Sequence, residues 1–114
     1  MNYDLMTELR TKNMQLDQSL KLLRKSGEEY AKALADYRMA FSQELLKLRD
    51  DGYAISLAEN IARGKREIAT LKQKQIIAEA VYEANRESIN VLKLQIKLLN
   101  EQISREWVNA ERNA

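Results

Sequence analysis

With neither histidine nor cysteine among its 114 residues, the sequence leaves acid–base and metal chemistry to carboxylates. Glu79, Glu83 and Glu87 recur every four residues, a spacing that puts them on one face of a helix. Glu28 and Glu29 form a second acidic group. Oxygen ligands of this kind suit a hard cation such as magnesium. No third acid stands one turn after Glu28 and Glu29 to add to such a site, since Ala31, Lys32 and Ala33 follow. Arg86 beside Glu83 and Glu87, with Lys32 beside Glu28 and Glu29, points to a solvated charged face instead. The serines at 19, 26, 42, 56, 88 and 104 have no evident base to activate them, and three glycines cannot form a glycine-rich phosphate loop. No catalytic site, metal or cofactor is expected.

The other chemically distinctive stretch is basic. Arg63, Lys65, Arg66, Lys72 and Lys74 are opposed within it only by Glu67, a local charge of +4. Phosphate contact is one use for such a cluster and an acidic protein surface is another. No aromatic residue interleaves to stack on bases. The whole chain carries only +2, too little to draw it onto nucleic acid by net charge. A helix–turn–helix reading of the region around Gly52 lacks the compact three-helix core that such a motif requires.

The elements that position these residues follow from composition and spacing. No proline and three glycines leave too few turn-forming residues for a many-stranded sheet, so an all-α fold is expected. A heptad seam runs through Leu9, Asn13, Leu16, Leu20, Leu23, Gly27, Tyr30, Leu34, Tyr37, Phe41, Glu44 and Leu48. Asn13 and Gly27 read as register devices, a polar seam residue and a space for a large side chain opposite. Asp50, Asp51 and Gly52 end this helix, the glycine through a left-handed conformation. From about residue 4 to 50 it is roughly 70 Å long. A short helix at about 56–63 comes next, with Ser56 and Glu59 at capping-box spacing and Gly64 at its end.

A second seam occupies a helix at about 66–108, through Ile68, Leu71, Gln75, Ala78, Tyr82, Asn85, Ile89, Leu92, Ile96, Leu99, Ile103 and Glu106, beside Trp107. Folded back at the short helix, the two seams pair antiparallel as a single-domain hairpin. Position numbers that total about 116 then match Leu48 with Ile68, Phe41 with Gln75, Tyr37 with Ala78, Tyr30 with Asn85, Gly27 with Ile89 and Leu9 with Trp107. The second helix carries a further stripe on nearly its opposite side: Ile77, Ala80, Ala84, Val91, Leu94 and Leu98, interrupted by Glu87. A helix apolar on two faces is buried on two faces, and a second copy around a two-fold axis covers the extra face most simply. A dimeric helical bundle is therefore expected. No apolar run approaches the roughly 20 residues of a membrane span, and the amino end lacks the order of a signal peptide, so a cytoplasmic location and no membrane partner are expected.

The runs INVLKLQIKLLNEQISREW (89–107) and EEYAKALADYRMA (28–40), with the DGYAISLAENIARG linker, make the chain similar to short helical proteins encoded in the early regions of phages and prophages of Gram-positive bacteria. That resemblance implies an accessory or inhibitory role toward a host or phage protein in DNA metabolism or defence. It carries no catalytic residues with it. The functional expectation is a non-catalytic protein–protein interaction module, with nucleic-acid binding through the basic tip as the alternative.

Overall fold

The computed structural model describes residues 3–113. Three helices account for almost all of them: α1 (Tyr3–Asp50), α2 (Ile55–Gly64) and α3 (Arg66–Asn113). No strand occurs among the described residues. The chain divides into two compact units, a central one of Lys25–Glu83 and a terminal one of Met1–Arg24 with Ala84–Ala114, so far as those residues are described. The two long helices contribute to both units and pack against each other.

Gly52 ends α1 as its spacing predicts. At φ 95° it takes the left-handed conformation. The Tyr53 amide reaches back to the Leu48 carbonyl at 3.2 Å and the Gly52 amide to the Arg49 carbonyl at 3.0 Å. These paired bonds satisfy carbonyls that the helix terminus would otherwise leave open. The start of α2 departs from the capping-box expectation. Its N-cap is Ala54 with no side-chain cap, Ser56 already lies inside the helix, and Glu59 turns to Arg63 at 3.7 Å. Gly64 is the last residue of α2 but has no left-handed backbone. Lys65 alone separates α2 from α3, its amide bonded to the Ala62 carbonyl and its carbonyl accepting from the Ala69 amide.

Ala58 and Ala62, one turn apart on α2, are 0% exposed and pack with Leu48, flanked by Phe41, Leu45 and Ile61. A methyl side chain on this face lets α2 lie close along the last turns of α1. The ten residues of α2, about 15 Å of helix, carry the chain back to the level of Glu44, where Lys65 lies 2.6 Å away. That return corrects the predicted pairing. Leu48 packs on α2 alanines instead of Ile68. Gly27 faces Tyr82, one heptad before the predicted Ile89, and an added Cβ would lie 3.4 Å from the Tyr82 ring. The Tyr30 and Tyr82 rings are 5.9 Å apart. Tyr37 meets Lys72, and Phe41 meets Arg63.

Every predicted seam position of α3 from Ile68 to Glu106 is buried or half-buried, Gln75 included. On α1 the seam fails at Asn13 and Leu20, which are exposed. Lys12 and Ser19 take the inward positions there, and Ser26 is buried beside Gly27. Serine is small enough to bring two backbones close, whereas leucine one position later is larger and faces water. Asn13 therefore sets no register.

Replacing Ala62 with leucine should lower stability by about 1–3 kcal/mol in urea unfolding, because α2 cannot seat a larger side chain against Leu48. Gly27→Ala should instead be neutral or stabilising by up to about 1 kcal/mol, since the Tyr82 ring leaves room for one methyl and alanine favours the helix.

Candidate functional site

In the central unit, Tyr37 and Phe41 lie one turn apart on α1 and stack, with ring centroids 5.9 Å apart and planes at 29°. Each carries a cation. The Lys72 ammonium is 4.8 Å from the centroid of Tyr37, and the Arg63 guanidinium is 5.6 Å from that of Phe41. Contacts of this type contribute about 0.5–1 kcal/mol at exposed sites. Lys72 also donates to Gln75 Oε1 at 3.1 Å. That amide is neutral, so the lysine is fixed in place without losing its charge.

A groove of about 590 Å³ opens here, bounded by Tyr37 of α1, Arg63 of α2, and Ile68, Ala69, Lys72, Gln73, Ile76 and Ile77 of α3. Of these, Ile68 is buried. Ile76 and Ile77 are 54% and 56% exposed. No carboxylate lines it. The groove joins two features that were separate in the sequence, the basic stretch through Arg63 and Lys72 and the second apolar stripe through Ile77. Tyr37 and Ile76 were not anticipated as site residues. Their signals are the aromatic pair at four-residue spacing, which the α1 seam takes up with Tyr37 on Ala78, and the doubled isoleucine, of which the second stripe takes up Ile77 alone.

The remaining basic residues lie outside the groove lining. Lys65 pairs with Glu44, whose Oε1 is shut off from solvent and has Lys65 as its charged neighbour. Arg66 and Lys74 are exposed. Of the stripe, Ala80 is exposed in the central unit, and Ala84, Val91, Leu94 and Leu98 are exposed in the terminal unit. Leu98 lines a smaller groove of about 200 Å³ with Glu8, Lys12, Gln95, Leu99 and Gln102. Trp107 is largely exposed and its indole N–H donates to Glu111 at 2.9 Å. Among the described residues, no three acidic side chains gather closely enough to hold an ion. No described helix is long and apolar enough to cross a membrane. Comparison with protein-family models, curated proteins and solved structures gives no match to this chain.

The short contact with the Glu44 carboxylate pushes the Lys65 ammonium above its ordinary value of 10.5, with desolvation opposing it. The folded state therefore holds this proton more tightly than the unfolded chain. The stabilisation is complete below the unfolded lysine value and is lost as pH rises through the raised one. In urea unfolding, the stability gap between wild type and Lys65→Met should be constant from about pH 7 to 9 and close in more alkaline solution.

Proposed function

We propose that the chain is a non-catalytic protein–protein interaction module that acts in the cytoplasm, forms a homodimer through the exposed stripe of α3 at Ala84, Val91, Leu94 and Leu98, and docks a second protein at the groove beside Ile76 and Ile77. The observation that carries this reading is how charge and apolar surface are distributed. Three of the five cations in the basic stretch, Arg63, Lys65 and Lys72, engage side chains of α1. Ile76, Ile77, Val91, Leu94 and Leu98 on α3 remain in water. Apolar surface left wet forgoes about 25 cal/mol for every Å² that a partner could cover. The resemblance to early-region phage proteins supports a host or phage protein of DNA metabolism or defence as the docked partner, with the chain acting as accessory or inhibitor.

Nucleic-acid binding is the alternative, favoured by Arg66 and Lys74, which project into solvent without an ion pair to any described residue. The two readings separate by salt and by mutation. Sedimentation equilibrium at tens of micromolar should give a dimer that persists at high salt and becomes a monomer in Val91→Glu. A fluorescent single-stranded oligonucleotide should show no binding at physiological ionic strength. A monomeric wild type that binds the oligonucleotide, with affinity falling steeply in salt and lost in Arg66→Glu with Lys74→Glu, would replace this reading with the alternative.

A further inference from the structure

The groove of the central unit sets exposed apolar side chains beside the charge of Lys72, which has no carboxylate partner in the lining. Lys72 is held on the face of Tyr37 and by the amide of Gln75, both uncharged partners. Arg63 lies over Phe41, with Glu59 at 3.7 Å on the exposed side of α2. Salt-bridged Lys65 adds no free charge, and no acid lines the groove. A long, flexible lysine on an open surface would sample many positions. Here the aromatic pair and Gln75 restrict it, so an incoming anion meets an ammonium already in place and less side-chain ordering opposes binding.

The exposed apolar part of the groove is Ile76 and Ile77, with Ile76 one turn beyond Lys72 on α3, while Ile68 is buried. An amphipathic helix laid across the groove would seat an aliphatic anchor on these two side chains. Its charged flank would then meet the lip where Lys72 and Arg63 lie. A basic flank would be repelled there and an acidic one attracted.

We infer that this groove is the docking site for an acidic amphipathic helix of a partner protein, an aliphatic anchor seated on Ile76 and Ile77 and its carboxylates paired first with Lys72 and, beside Glu59, with Arg63. The inference rests on the interaction-module reading and gives it a partner chemistry. It also assigns separate roles to two parts of the basic stretch, with Arg63 and Lys72 reading a protein carboxylate and Lys65 holding the fold through Glu44.

The test is a display selection on the immobilised full-length chain. The library holds helical peptides of fourteen residues with fixed aliphatic anchors at i, i+3 and i+7 and random flanking positions. The enriched pool should be rich in glutamate and aspartate at the flanks. The best peptide, titrated by calorimetry, should lose about tenfold or more in affinity against Lys72→Glu and against Ile76→Glu, and keep it against Leu46→Glu, an exposed position outside the groove. Thermal melts of each variant confirm that the fold is retained, and Arg63→Glu supplies a second charge reversal if Lys72→Glu does not fold. A neutral or basic pool, no enrichment, or an acidic pool indifferent to Lys72 and Ile76 would overturn the groove assignment. The interaction-module reading fails separately, through a monomeric wild type that binds oligonucleotide in preference to any peptide.

Discussion

The seating of α2 on the end of α1 fixes the arrangement of the central unit. It depends on Ala58 and Ala62, whose methyl groups are fully enclosed against Leu48. Because these side chains are small, α2 lies along α1 instead of extending beyond it, and the chain enters α3 at the level of Glu44. From that point the register of α3 is set residue by residue: Lys65 at Glu44, Lys72 at Tyr37, Tyr82 at Gly27. A bulkier residue at either alanine would move the entry point of α3 and displace all three pairings together.

The same return creates the groove. Arg63 stands in the last turn of α2 and Lys72 in the second turn of α3, and they converge on one aromatic pair only because α2 doubles back. The partner that holds each cation decides whether its charge remains available. A carboxylate, as at Lys65, fixes a lysine and cancels its charge. An aromatic face fixes it and leaves the charge free to meet an anion. Within a few residues of one basic stretch the protein uses both, Glu44 for Lys65 and Tyr37 for Lys72, while Arg63 lies between Phe41 and Glu59.

Much of this architecture was legible in the residues. Gly52 marked the end of α1, the absence of proline and the heptad spacing marked two long helices, and the α3 seam was correct even at Gln75, a polar residue that apolarity alone would have placed outside. The amino-terminal half of α1 was less legible. There Lys12, Ser19 and Ser26 alternate with Leu5, Leu9, Leu16 and Leu23 at the inward positions, fitting by a slim profile or an aliphatic stem, while Leu20 beside Ser19 faces water. Hydrophobic spacing registers oiliness and is blind to a small polar residue that permits close approach. The pairing of the two helices differs from the expected one by one heptad because register depends on where α2 lays the chain down, and a pattern read along each helix separately contains no information about that connection.

The register is therefore the claim on which the groove, the cation placement and the role of the α2 alanines all rest. A nuclear Overhauser spectrum of the isotope-labelled protein measures it most directly, through the α protons of Gly27. The account predicts cross-peaks from these protons to the ring protons of Tyr82, which lies one methyl's width from the glycine. Cross-peaks to the methyl groups of Ile89, with none to Tyr82, would contradict it, since α3 would then enter one heptad away and Lys72 could not lie on Tyr37.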